Sequence, residues 1–197
     1  MRNAARQVEP AAPAERFDGG RVKGAMVRAH IDWVRDHRDR NEVIEFFEVI
    51  PHAMRTVLAA SWYSFAEVIE LDRTIMNRFG HGEIDFLQEL GAYSARQSLA
   101  GALRFFQRSG VHEFFQRAAL LHAQFQDFGT AAYEEIGATA GRMTHGHYTS
   151  YSPLYCASAI GFFRQCIRLH GGLNVEVAES DCQCRGDAAC VFEMTWE

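Results

Sequence analysis

The 197-residue sequence has no run of five or more basic residues, and its formal net charge is −5. Those absences remove the electrostatic footprint with which a protein grips nucleic acid through its phosphates. No apolar stretch reaches the roughly 20 residues that a membrane-spanning helix needs. The N-terminus has no continuous apolar core of the kind a signal peptide carries, so the chain reads as soluble and cytoplasmic. There is no nucleophile elbow, no Walker loop and no glycine fingerprint after a strand, and catalysis is not expected. Carboxylates such as Glu134 with Glu135, or Asp85 with Glu89, read as solvated faces. No internal repeat or inner linker divides the chain, and its length suits a single domain.

What the sequence does have is a collection of thiols near its end. Four of its five cysteines are Cys156 and the trio in Glu179-Ser-Asp-Cys182-Gln-Cys184-Arg-Gly-Asp-Ala-Ala-Cys190. A chain without a secretion signal gathers thiols in this way to hold a metal, an iron–sulfur cluster or a redox pair. Arg185-Gly186-Asp187 is a turn sequence, so Cys182 and Cys190 can face each other at the bases of two neighbouring strands, with Cys156 reaching them from elsewhere. That is a clasp joining distant segments, and closed tetrahedral Zn²⁺ is its commonest intracellular form.

Residues 1–20, with Pro10, Pro13 and the Gly19-Gly20 pair, have no hydrophobic period and read as a flexible arm. Residues 21–197 read as one ligand-binding domain, helical over 21–128 and built of sheet plus one helix over 129–197. Amphipathic helices are predicted from Val22 to His37, through Val43–Ile50 until Pro51, from Trp62 to Phe79, from Ile84 to Arg108 with a break near Gly91, and from Glu113 to about Phe125. Alternation over residues 131–149 predicts a hairpin turning at Gly141-Arg142. A helix opens at Pro153 and stops at Gly171-Gly172, and residues 174–180 and 189–196 form a second hairpin. The expected fold class is α+β, with N-terminal helices packed on a four-stranded antiparallel sheet whose order in the chain is strand, strand, helix, strand, strand.

With Cys156 and the Glu179 to Cys190 segment in view, the tail resembles the 4-vinyl reductase domain family, which also serves as the effector-sensing module of bacterial regulators responding to phenols and other aromatics. In that family a cysteine at a helix start, a glutamate and two further cysteines bind one zinc ion. The matching residues here are Cys156, Glu179, Cys182 and Cys190, at intervals of 23, 3 and 8. Gly161 and Gly186-Asp187 fit as well. The likeness covers about 42 residues and weakens upstream, where Val22-Lys23-Gly24 is similar to the wider superfamily of haem nitric-oxide sensors and vesicle-tethering TRAPP subunits. The resemblance implies the same α+β fold, a structural zinc ion and a homodimer formed through the N-terminal helices. The chain shows no attached DNA-binding or ATPase domain, so a downstream signalling partner is implied and is unknown.

Beside the zinc set, Cys182-Gln-Cys184 leaves a four-thiolate site open, with Cys184 in place of Glu179. An iron–sulfur cluster is not expected, because such clusters favour tighter cysteine runs. Haem is not expected either. His112 and the His145-Gly-His147 pair offer imidazoles, and Tyr148-Thr-Ser150-Tyr-Ser152 is similar to the Tyr, Ser and Arg motif with which haem nitric-oxide sensors hold propionates, but no Arg stands in the required place. The abundance of Phe and Tyr fits a cavity for a small apolar or aromatic, hydrocarbon-like ligand, with candidate contacts Phe105, Phe106, His122, Phe125, Tyr133, Phe162, Phe163 and Cys166, and His122 as its hydrogen-bond anchor. The first expectation is thus a stand-alone sensor module without enzymatic activity. The alternatives are an adaptor like the TRAPP subunits with a permanently filled cavity, or an accessory protein of bacteriochlorophyll synthesis.

Overall fold

The computed structural model describes residues 14–197. A short strand, β1 (Arg21–Lys23), leads into α1 (Gly24–His37), followed by α2 (Arg40–Val49), strand β2 (Trp62–Ser64), α3 (Phe65–Phe79) and α4 (Leu87–Ala100). Then come α5 (Val111–Leu120), the single turn α6 (His122–Phe125), the hairpin β3 (Thr130–Gly137) and β4 (Ala140–Gly146), α7 (Pro153–Leu169), and the hairpin β5 (Glu176–Asp181) and β6 (Ala189–Thr195). The four long strands form one antiparallel sheet in the order β3-β4-β6-β5, and β1 pairs with β2 in a separate ribbon. The α+β expectation of helices first and a four-stranded antiparallel sheet last holds. No helix among the described residues is long and apolar enough to cross a membrane.

Local chemistry accounts for the boundaries. Asp39 caps α2 in a capping box: its Oδ1 accepts from Asn41 N at 2.8 Å and Glu42 N at 3.0 Å, while Glu42 Oε2 accepts from Asp39 N. Ser152 caps α7 by accepting from Leu154 N at 3.2 Å, and Pro153 fills the first helical position, where its missing N–H costs nothing. Gly171, at φ +94°, lets the chain leave α7 in the left-handed region. Along β4 the buried residues are Gly141, Met143 and His145, and along β6 they are Cys190, Phe192 and Met194. This period-two burial turns one face of the sheet inward, where α7 packs on it.

Several expectations are corrected. The helix from Ile84 is not broken at Gly91. It starts as a 3₁₀ turn at Ile84–Phe86, runs through Gly91 as α4, and ends at Ala100 well before Arg108. Gly91 is there for closeness, because a Cβ on it would lie 1.9 Å from Ser158 O of α7, and a Cβ on Gly161 would lie 2.0 Å from Gln88 O of α4. The two helices thus cross backbone to backbone. The first hairpin turns at Ala138-Thr139, with Gly141 inside β4 and paired with Glu135. Gly141 is needed there because Tyr133 crosses it, and a Cβ would meet the phenol oxygen at 2.1 Å. The predicted helix to Phe125 is interrupted at Leu121, and the starts assigned to helices at Val22 and Trp62 belong to the β1–β2 ribbon.

The expected arm at residues 1–20 is divided by the structure. Residues 1–13 lie outside the described residues. From Ala14 the chain is docked: Ala14 N donates to Cys184 O at 2.8 Å, Arg16 bridges Tyr151, and Ser150 Oγ donates to Gly19 O at 2.6 Å. Ser152 Oγ, besides capping α7, donates to Glu15 Oε1 at 2.5 Å, and Arg73 Nη2 holds the other Glu15 oxygen at 2.7 Å.

Candidate functional site

Two sites stand beside each other, a thiol cluster and a cavity. The first is assembled by α7 and the β5–β6 hairpin. Cys156 comes from the first turn of α7, Cys182 from the residue that follows β5 and Cys190 from β6. The turn between the last two is closed by Gly186 at φ +99° and by Asp187 Oδ2, which accepts from Cys182 N at 2.8 Å. The three sulfurs are 3.9 Å (Cys156–Cys182), 3.7 Å (Cys156–Cys190) and 3.9 Å (Cys190–Cys182) apart. A tetrahedron of thiolates about 2.3 Å from a zinc ion has an edge of about 3.8 Å. Ligating atoms of Cys156, Glu179, Cys182 and Cys190 all lie within 4.8 Å of one another. All five cysteines are free and buried, so no disulfide competes for these sulfurs.

Glu179 gives the cluster its charge problem. Its Oε2 accepts from Arg185 Nη1 at 3.2 Å, but its Oε1 is buried without a hydrogen-bond partner among the described residues. Burial is the main reason its carboxyl is pushed up to about 7. An orphaned carboxylate oxygen beside three thiols is the environment a divalent cation relieves, so the donors present fit Zn²⁺. Hydrogen bonding among the thiols, foremost between Cys156 and Cys182, pushes Cys156 up and Cys182 down. Cys184 is buried close by but is not one of the four residues whose ligating atoms converge.

The cavity, of about 160 Å³, lies between the helical half and the sheet half, bounded by side chains from both apolar cores. Its sheet end carries a hydrogen-bonded chain. His122 Nε2 lies 2.7 Å from Tyr148 Oη, Tyr148 Oη donates to Gln126 Oε1 at 2.7 Å, and Gln126 Nε2 donates to Tyr155 Oη at 2.5 Å. His145 stacks on Tyr148 with ring centroids 5.3 Å apart, and burial drives its imidazole down to about 3, so it is neutral near pH 7. Burial lowers His122 too. The helical end carries His30 Nδ1, 2.5 Å from Asp72 Oδ1, and Ser94, whose Oγ has no partner among the described residues. The two sites touch: Tyr155 precedes Cys156, His145 pairs with Cys190 across the sheet, and Gln183 Nε2 donates to Tyr148 O at 3.3 Å.

Of the residues expected to contact a ligand, His122, Phe125, Phe162 and Phe163 line this cavity; Phe105, Phe106, Tyr133 and Cys166 do not. Phe105 is 78% exposed, turned outward by the 3₁₀ turn Arg104–Phe106. Phe106 packs under the Arg117 guanidinium. Tyr133 stacks on Phe115, and its hydroxyl lies 2.8 Å from His112 Nδ1. Cys166, on α7, is sealed in the core. His122 is engaged with Tyr148 and is one polar group among several. His112, whose other nitrogen lies 3.1 Å from Ala138 O, ties α5 to the first hairpin. His30, Asp72 and Ser94 were not anticipated, although Asp72 interrupts the apolar stripe Val68, Ile75, Phe79 of α3 and was a readable signal.

No family model matches the sequence, and no curated protein matches it. Among solved structures the chain has the fold of H-NOX domains. An H-NOX protein from S. oneidensis in an Fe(II)NO state is 12% identical, the match covering 89% of this chain and 99% of that one with a TM-score of 0.72. An oxygen-binding H-NOX domain related to soluble guanylate cyclases is 14% identical over 89% of this chain and 95% of that one, at 0.70. A structure from work on haem distortion in the H-NOX family is 13% identical, with coverage of 89% and 95%, at 0.69. At such identities the likeness is one of fold, and it agrees with the wider superfamily expected from the sequence; the narrower 4-vinyl reductase likeness is not among these matches.

The expectation that set haem aside is corrected by these neighbours, because the missing Arg does not remove the chain from the fold in which haem distortion was studied. The cavity wall offers imidazoles at His30, His122 and His145, the donors a haem iron takes. No Lys or Arg lines it among the described residues, so the carboxylates of a haem would need cations from elsewhere, and walls around 160 Å³ would have to move apart.

Proposed function

We propose that this chain is a metal-clasped small-molecule sensor module of the 4-vinyl reductase type. Residues 21–197 act as one domain that binds a compact apolar ligand between its helices and its sheet. The observation that carries this reading is the adjacency of the thiol cluster and the cavity, since Tyr155 and His145 line the cavity and belong to the shell of the cluster at once, and Tyr148 hydrogen-bonds the lining residues His122 and Gln126. A closed Zn²⁺ site held by Cys156, Glu179, Cys182 and Cys190 leaves no open position and supplies rigidity rather than an activated water. It fixes the start of α7 against β5 and β6, and so fixes the hydrogen-bonded wall. Binding becomes a signal only if the ligand favours one arrangement of helices, or of two copies joined through their N-terminal helices, over another.

Elemental analysis of the purified protein tests the clasp, with about one zinc per chain expected; absence of metal under reducing, metal-replete conditions refutes it. A thermal-shift screen of benzene-sized hydrocarbons and their derivatives tests the cavity, which is close in size to the roughly 150 Å³ that accommodates benzene in an engineered apolar cavity. The second reading is a haem-binding sensor, favoured by neutral His145 on the cavity wall together with the H-NOX fold. Titration with hemin decides it: a Soret band that saturates at one equivalent and is lost in His145→Ala supports the haem reading, whereas no saturable band favours the small-ligand reading.

A further inference from the structure

We propose that the helical end of the cavity, formed by His30, Asp72 and Ser94, binds the ammonium head of a small apolar amine. The inference rests on the ligand-binding reading of the cavity and names the chemical class that this end selects. The cavity's two ends differ in what they leave unmet. At the sheet end His122, Tyr148, Gln126 and Tyr155 bond to one another in series. At the helical end three packed helices contribute polar side chains, His30 from α1, Asp72 from α3 and Ser94 with Ser98 from α4, to a wall that is otherwise mostly apolar.

The hydrogen-bond inventory of that end is dominated by acceptors. A carboxylate only accepts, so in the 2.5 Å contact His30 Nδ1 donates to Asp72 Oδ1. Asp72 Oδ2 stands outside that bond as a second acceptor. Asp72 is 2% exposed, and a carboxylate so buried calls for donors and positive charge close to both of its oxygens. No Lys or Arg lines the cavity among the described residues. Ser94 is 8% exposed, and its Oγ has no partner among the described residues. A primary ammonium presents three donors and one positive charge, which answers Asp72 Oδ2 and Ser94 Oγ together, while its hydrocarbon part meets the apolar wall at Phe65, Val68 and Phe162. A carboxylate ligand would face Asp72 without compensation, and a hydrocarbon would leave Ser94 Oγ unmet.

Calorimetric titration of the full chain with four probes of one shape, benzylamine, benzyl alcohol, toluene and benzoate, at neutral pH tests the inference. Benzylamine should bind at least tenfold more tightly than benzyl alcohol or toluene, with benzoate weakest. Asp72→Asn should abolish the amine preference while toluene still binds, and Ser94→Ala should weaken benzylamine severalfold and leave toluene unchanged. Equal affinity of benzyl alcohol and benzylamine for the unaltered protein would overturn the inference, since it would make His30 the cation that already neutralises Asp72; so would an amine preference that persists in Asp72→Asn. If Asp72→Asn does not fold, the four-probe series and Ser94→Ala decide. Failure of all four probes to bind would instead overturn the small-ligand reading of the cavity, and this inference with it.

Discussion

Substituting Gly91 by Ala sets two physical effects of opposite sign against each other. In a helix interior Ala is favoured over Gly by about 1 kcal/mol, so propensity alone makes Gly91→Ala stabilising. Its Cβ would, however, lie 1.9 Å from Ser158 O and 2.8 Å from Phe162 N of α7, backbone atoms that cannot rotate away. Relief requires the helices to separate by more than an ångström along the crossing. Overpacking of this kind costs about 3 kcal/mol at the upper end of its usual range, which leaves a net loss of about 2 kcal/mol after the propensity gain. For a domain of this size that lowers Tm by about 4–8 °C, read by calorimetry or circular dichroism. Gly161→Ala, whose Cβ would lie 2.0 Å from Gln88 O, should behave alike, and the double variant should cost less than the sum because one separation relieves both clashes. Ser94 and Ser98 of α4 and Ser158 and Phe162 of α7 all line the cavity, so the same separation should also weaken binding of any cavity ligand. A Tm equal to or above that of the unaltered protein would refute the close crossing.

Cys156→Ser or Cys190→Ser should lose stoichiometric zinc and lower Tm, and full zinc content in either variant would dismantle the clasp. Glu179→Gln should weaken zinc more than Cys184→Ser does, as read by competition with a chelator; the reverse order would establish a four-thiolate site. His122→Trp should fill the sheet end of the cavity and lower affinity for a cavity ligand at least tenfold, whereas unchanged affinity would place the ligand elsewhere. His145, held neutral with a folded pKa of about 3, contributes stability that is whole above about pH 6.5 and is lost as pH falls towards 3. The loss is at most about 1.4 kcal/mol per pH unit. In denaturant titrations His145→Phe should therefore flatten the decline between pH 6 and 4, and an undiminished slope would mean that other groups govern it.

The sequence by itself determined those features that depend on neighbours in the chain. Period-two burial placed β4, β5 and β6; Ser152-Pro153 and Gly171-Gly172 bounded α7; and the intervals from Cys156 to Cys190 marked a thiol cluster before any coordinates did. Local pattern was weaker wherever a long-range contact set the conformation. Gly91 and Gly141 look like breaks in the sequence, yet each lies inside a regular element, because α7 or the Tyr133 ring approaches too closely for any side chain. The β1–β2 ribbon, three residues on each side, is too short to show a period and exists only because the two segments pair. The cavity belonged wholly to the tertiary structure. Phe105 and Phe162 are equally apolar in sequence, but one is turned to solvent and the other to the cavity by the elements that carry them. His30, Asp72 and Ser94 are distant in the chain, and only the packing of α1, α3 and α4 buries all three on the wall of one cavity.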